Sequence, residues 1–134
     1  MKDVVIIGGG AAGFFCAISL AELSTENKII ILESGKKTLR KVKVSGGGRC
    51  NITHDCFDPK LLSTRYLWGQ KELIGPFFKL QPKDMIHWIE ANGVPTKIEE
   101  DGRVFPRSNS SQSVIDCLEN IARKTTALSF KSIG

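Results

Sequence analysis

Val4-Val5-Ile6-Ile7-Gly8-Gly9-Gly10-Ala11-Ala12-Gly13 is the stretch that decides the fold of this chain. An apolar run enters a glycine turn, and an amphipathic helical pattern follows from Ala11 to about Ser24. A second apolar run, Lys28-Ile29-Ile30-Ile31-Leu32, ends on Glu33. Strand, glycine turn, helix, strand and acid come in the order of a dinucleotide-binding βαβ unit.

Each position has a physical reason. Gly8 permits the tight turn out of the strand, and Gly10 lets backbone N–H groups approach a pyrophosphate closely. Gly13 allows the helix to pack near the sheet, and Ala17, one turn on, keeps that contact thin. The N–H groups of the first helical turn, from Ala11 and Ala12 onward, have no partner inside the helix and attract a diphosphate. Glu33 stands twenty residues after Gly13, where a carboxylate can accept hydrogen bonds from both ribose hydroxyls. The same charge repels a 2′-phosphate and so disfavours an NADP-type ligand.

The 134 residues suit one domain with a modest core. No apolar run is long enough to span a bilayer, so no membrane association is expected. Nothing at the N-terminus reads as a secretory signal, and a cytoplasmic location is the expectation. Four cysteines, Cys16, Cys50, Cys56 and Cys117, show no C-x-x-C pair and no metal-ligand spacing. No metal is expected. Cys16 and Cys117 fall on helical patterns and read as buried thiols, while Cys50 and Cys56 read as free thiols rather than a redox pair.

The net charge of +5 is unevenly placed. Lys36, Lys37, Arg40, Lys41, Lys43 and Arg49 fall within fourteen residues that contain no acid. Such a run suits a solvated face or nucleic acid. Because it follows Glu33 directly, a third reading turns part of it, Lys41 included, toward the phosphates of a cofactor. No aromatic residue interrupts these bases, so nucleic acid is the weakest of the three and is not an expected partner.

Within the same region lies Ser45-Gly46-Gly47-Gly48-Arg49-Cys50-Asn51. Three consecutive glycines are costly to order and make sense where backbone passes close to a flat ligand. Arg49 offers a rigid fork of donors for a phosphate or a ring carbonyl, and Asn51 offers both donor and acceptor.

Together with Gly8–Gly13, this loop and the later Asp101-Gly102-Arg103-Val104-Phe105-Pro106 resemble the bacterial aminoacetone oxidase/BaiN-type flavoproteins. These are FAD-dependent oxidoreductases. The resemblance spans nearly the whole chain with the motifs in order. It implies FAD, with adenosine ribose on Glu33, diphosphate over Gly10 to Ala12, and Gly47, Arg49, Cys50 and Asn51 beside the flavin. The chain departs from the family's usual Thr-Asn at Thr53-His54 and from its usual alanine at Ser111. It is also far shorter than family members.

Between the motifs, Asp58 to Leu80 reads as one or two short helices, broken at Gly75-Pro76. Trp68, Phe77 and Phe78 suit either a flavin pocket or, as aromatics at helical spacing more often do, the core. A helix follows from about Pro82 to Ala91, closed by Asn92-Gly93, and His87, between Ile86 and Trp88, reads as a surface or boundary residue. Thr96 to Phe105 reads as a β-hairpin turning at Glu100-Asp101-Gly102, with Arg103 in a structural role. Ser108 or Asn109 caps a final helix to about Lys124, whose buried face is Val114, Ile115, Leu118, Ile121 and Ala122.

The expected fold is α/β: a Rossmann-type parallel sheet of strands at 3–7, 28–32 and 126–131, with a helical and β-hairpin excursion. The expected function is the FAD-binding portion of a flavin oxidoreductase, in a single, truncated domain over residues 1–134. Two other readings stand beside it: a non-catalytic fragment or a subunit completed by another chain, and an NAD-binding dehydrogenase domain. No residue has the setting of a catalytic acid, base or nucleophile. Cys50 comes nearest, since its neighbour Arg49 can lower a thiol pKa, but it reads as a structural thiol. Strand one, apolar on both faces, belongs in the middle of a parallel sheet. Left unpaired, its edge is a route to self-association or to a partner chain.

Overall fold

The computed structural model describes residues 3–23, 26–124 and 128–132. Strand β1 (Asp3–Ile7) leads into helix α1 (Ala11–Leu23) and strand β2 (Lys28–Glu33). The chain then forms α2 (Arg40–Val44), a 3-10 turn over Ser45–Gly48, and β3 (Thr53–His54). Next come α3 (Pro59–Ser63), α4 (Gln70–Lys79) and α5 (Pro82–Ala91), then β4 (Thr96–Ile98) and β5 (Arg103–Pro106). Helix α6 (Ser111–Lys124) and strand β6 (Leu128–Ser132) complete the order.

The strands form two sheets. β1, β2 and β6 are parallel in the order β1-β2-β6, with Val4 opposite Ile29 and Ile31 opposite Phe130. This is the strand 1-2-3 side of a Rossmann sheet. Its core is made by Ile29 and Ile31 of β2, Phe14, Ala17 and Ile18 of α1, and Val114 and Leu118 of α6. α1 is apolar nearly all round rather than amphipathic: Phe14, Ala17 and Ile18 are buried, while Phe15 meets Trp88 of α5 edge-on at 5.1 Å. Cys16, expected inside, is exposed; Cys50, Cys56 and Cys117 are buried, and all four thiols are free.

β1 pairs only with β2 among the described residues. Val5 is 51% and Ile7 75% exposed, so one face of this strand is bare, although its composition suits a strand covered on both faces.

The second sheet is antiparallel in the order β3-β5-β4. Its hairpin, β4 and β5, was expected; β3 was not, because two residues carry no periodicity. β3 is held by Thr53 and His54 opposite Val104 and Arg103, and by the Ile52 N–H donating to the Val104 carbonyl at 2.8 Å.

Helix α4 runs through Gly75-Pro76 instead of breaking there. The φ of proline suits a helix, and its missing N–H costs one bond to the Glu72 carbonyl, which water can replace on this exposed element. Trp68 and Phe78 are exposed and belong to neither a core nor an enclosed pocket. Asp58 caps α3 by accepting from the Leu61 N–H, with Pro59 at the first turn. At the start of α6 it is the Ser110 hydroxyl, not Ser108 or Asn109, that accepts from a first-turn N–H, that of Gln112 at 3.2 Å. Ser111, where the flavoprotein family usually has alanine, is buried and donates to the Lys43 carbonyl at 2.8 Å, tying α6 to the end of α2.

Candidate functional site

The glycine turn, the tip of β2 and the connection into α2 meet at one end of the parallel sheet. Gly8 has φ +101°, which turns the chain sharply out of β1. A Cβ on Gly13 would collide with the carbonyl oxygen of Gly8, so close passage of α1 over the turn requires glycine there.

Gly10 behaves differently. It is not in the left-handed region, and no atom lies within 4 Å of where its Cβ would stand. Its glycine therefore keeps open the space before the first turn of α1, where Ala11 and Ala12 are exposed. The residues present fit a pyrophosphate: open space meets a helix N-terminus whose first amides have no partner within the helix.

Glu33 accepts from the Gly9 N–H through Oε2 at 2.8 Å and from the Gly35 N–H through Oε1 at 2.7 Å. These two bonds, that from Gly35 first, hold its carboxyl below the usual value of 4.5. Each oxygen retains a further lone pair, so the ionised carboxylate can still receive ribose hydroxyls. The Gly9 carbonyl accepts from the Leu39 N–H at 2.8 Å. A Cβ on Gly9 would stand 2.8 Å from Thr38 Cγ2. Gly9, Thr38 and Leu39 therefore build the site, and sequence reasoning passed over all three. The third glycine in Gly8-Gly9-Gly10 was the available signal.

Leu39 is itself unusual: a buried leucine at φ +56°, the left-handed region. Its side chain in the core and its N–H on Gly9 hold it there. Beside it lies a cavity of about 800 Å³, in the size range of ligand sites. Its charged lining is Glu33, Lys36, Lys37, Arg40, Lys43, Arg123, Lys131 and Glu119, the last paired with Arg123. Lys41 lies on the exposed face of α2, outside that lining. Of the basic run, Lys36, Lys37, Arg40 and Lys43 share the lining of this cavity with Glu33, and Lys41, expected to face the phosphates, does not.

The second motif is held by the hairpin. Gly46, Gly47 and Gly48 all have positive φ. A Cβ on Gly46 would stand 2.7 Å from the Asn51 nitrogen and 2.9 Å from Phe105 Cε1, so the loop can rest on that buried ring only with glycine. Arg49 covers the same ring, its guanidinium carbon 4.0 Å from the ring centroid, and bonds Glu99 Oε1 through Nη1 at 2.6 Å. That bond leads the causes that lower the Glu99 pKa. Arg49 is therefore engaged within the fold, rather than presenting its whole fork to a ligand. Arg103 has the structural role expected of it, with Nε 2.7 Å from Asp101 Oδ2.

Cys50 is buried at φ +63°, and burial pushes its thiol upward, opposite to the effect expected of an arginine neighbour. Gly47 and Asn51 are exposed, and Asn51 borders a cleft of about 420 Å³ toward α3–α5. His54, where the family usually has asparagine, places Nε2 3.0 Å from the Asp101 carbonyl and Nδ1 3.1 Å from Asp55 Oδ1. His87 is exposed, as expected. Among the described residues no group of His, Cys, Asp and Glu is arranged to hold a metal. No described helix is long and apolar enough to cross a membrane.

Known proteins are similar to this chain. The chain is 50% identical over 114 residues to a ribosomal RNA dihydrouridine synthase of Haemophilus influenzae, covering 84% of this chain and 27% of that protein. It is 30% identical over 122 residues to the Escherichia coli protein of the same name, covering 91% of this chain and 29% of that one. A 3-dehydro-bile acid delta(4,6)-reductase of Clostridium scindens is 28% identical over 124 residues, covering 92% of this chain and 29% of the reductase. The chain thus spans under a third of the length of these relatives. The fold is also that of E. coli quinol fumarate reductase FrdA, with a TM-score of 0.68 at 19% identity over 97% of this chain and 26% of that one. Residues 2–131 match the HI0933-like protein Rossmann domain, so the chain belongs to the HI0933-like family, as its FAD-binding Rossmann domain.

Proposed function

We propose that this chain is the FAD-binding portion of a flavin-dependent oxidoreductase. The carrying observation is Glu33, held between the amides of Gly9 and Gly35 at the mouth of the open turn. In this reading the adenosine ribose bonds to Glu33, its diphosphate lies before Gly10, Ala11 and Ala12, and the adenosine half enters the cavity beside Leu39. Lys36, Lys37, Arg40 and Lys43 supply positive potential there. The loop from Gly47 to Asn51, kept rigid by Phe105 and Glu99, lies beside the flavin. Bound FAD supplies two-electron redox chemistry, and the protein binds and orients it.

For the substrate of the whole enzyme, a uridine base in RNA is the reading best supported. It rests on the name carried by the relative at 50% identity, against 28% for the bile-acid reductase. This runs against the expectation drawn from the basic run, which had no aromatic partner within it.

Purified protein is tested by its visible absorption spectrum and by calorimetric titration with FAD and NAD. Flavin bands, or tighter binding of FAD, support the proposal. Binding of NAD alone would replace it with the dehydrogenase reading.

A further inference from the structure

The arm over residues 57–83, formed by α3, α4, their connection and the residues that flank them, carries a surface that the FAD site does not use. Thr64 to Glu72 are all exposed, and within them Leu67 is 90% and Trp68 87% exposed. Phe57, Tyr66 and Phe78 are exposed on the same arm. Five bases are interleaved with these aromatics between residues 57 and 83, Lys60, Arg65, Lys71, Lys79 and Lys83, against the two acids Asp58 and Glu72. None of the five is in an ion pair among the described residues. Asp58 is occupied as the cap of α3.

Aromatics interleaved with unpaired bases are what the run from Lys36 to Arg49 lacks. A solvated helix face has no use for an exposed tryptophan and leucine, and an apolar protein contact has no use for five bases. Single-stranded nucleic acid uses both, stacking bases on aromatic faces and placing phosphates on cations. The arm also borders the cleft of about 420 Å³ lined by Asn51, His54, Arg65, Tyr66, Phe77 and Met85. Tyr66 and Phe77 lie 5.5 Å apart between ring centroids. The cleft reaches Asn51, at the end of the glycine-arginine loop, and an enzyme acting on a nucleobase must draw it out of its stack into such a pocket.

We infer that this arm receives single-stranded RNA: one base stacks on Trp68, an adjacent base enters the cleft beside Tyr66 and Phe77, and Arg65 holds a phosphate. The inference rests on the RNA reading above and assigns its surface.

The test is fluorescence anisotropy of a labelled single-stranded oligouridylate of about a dozen nucleotides with the chain at low salt. Trp68→Ala and Arg65→Ala, both at exposed positions, are each expected to weaken binding about tenfold. Arg65→Ala should also flatten the salt dependence. Circular dichroism verifies that both variants keep the fold. If Lys36→Ala with Lys37→Ala weakens binding and the arm variants do not, RNA lies on the other basic strip. The surface assignment then fails while the RNA reading stands. If the unaltered chain binds no oligouridylate at low salt, the RNA reading fails and takes the assignment with it. If Trp68→Ala turns an oligomer into a monomer and leaves RNA affinity unchanged, the arm is a contact between copies and the assignment is overturned.

Discussion

Gly9 and Glu33, twenty-four residues apart, are joined by a 2.8 Å hydrogen bond from the Gly9 N–H to Glu33 Oε2. The bond links the turn after β1 to the tip of β2, so the residue read as a ribose ligand is also a brace of the phosphate turn. Its second oxygen holds the Gly35 N–H, and the Leu39 N–H returns to the Gly9 carbonyl. Loss of the carboxylate therefore loosens the turn as well as removing a ligand.

Glu33→Ala is expected to weaken FAD binding on the order of tenfold to a hundredfold, the scale of losing hydrogen bonds to a charged group. Glu33→Gln keeps one acceptor oxygen and should fall between the two. Calorimetric titration measures both, and affinity equal to that of the unaltered chain would remove Glu33 from the site.

The glycines of the turn should separate into two kinds. Gly10→Val has open space and no positive φ to resist it, so the variant should fold normally and lose FAD by obstruction of the diphosphate. Gly13→Ala places its Cβ against a backbone oxygen and should cost about 1–3 kcal/mol of stability, the range for overpacking. Urea unfolding together with FAD titration distinguishes them. Normal FAD binding by Gly10→Val would reduce the glycine turn to a turn.

Phe105 is fully buried beneath Gly46 and Arg49. Phe105→Ala should cost about 3–5 kcal/mol. Arg49→Ala, which removes a partly exposed pair and a cation–π contact, should cost much less. Urea midpoints would show the ranking, and a reversed order would mean that the ion pair rather than the ring holds the loop.

Acid should weaken the fold through its bonded carboxylates. Glu33, held by the Gly35 and Gly9 amides, Glu90, held by the Thr96 hydroxyl and N–H, and Glu99, held by Arg49, all titrate below the usual 4.5. A carboxylate depressed in the folded state contributes its full stability above its unfolded value and loses it as pH falls through the folded one. Thermal midpoints are therefore expected to be level above about pH 5 and to fall as pH drops below 4.5, less steeply in Glu90→Gln. An unchanged acid limb in that variant would remove Glu90 from the account.

The bare face of β1, and its second edge, which meets no strand among the described residues, should make this chain self-associate. Ile7→Lys, at a position 75% exposed, puts a charge on that strand and is expected to shift the population toward monomer. Light scattering on a size-exclusion column reads the change, and a monomeric unaltered chain would exclude this edge as a contact.

Much of this was legible in the amino-acid order. The βαβ unit could be read because apolar runs, turn glycines and an acid at fixed spacing are local features, each with its own backbone requirement. Helix α5 and the hairpin were legible for the same reason, through Pro82, Asn92-Gly93 and the turn at Asp101-Gly102. What depended on distant partners was not. β3 exists because Val104 and Arg103 lie opposite it. Arg49 is held by Glu99, fifty residues away, so a fork that suits a phosphate is spent on a carboxylate. Cys16 lies outside, although its helical pattern suggested burial, because packing decides which side of α1 is covered. Local order therefore determined where the chain turns and which residues can meet a dinucleotide. Tertiary structure decided which donors remain free for it, because a hydrogen-bonding group has limited capacity and a partner across the fold can claim it first.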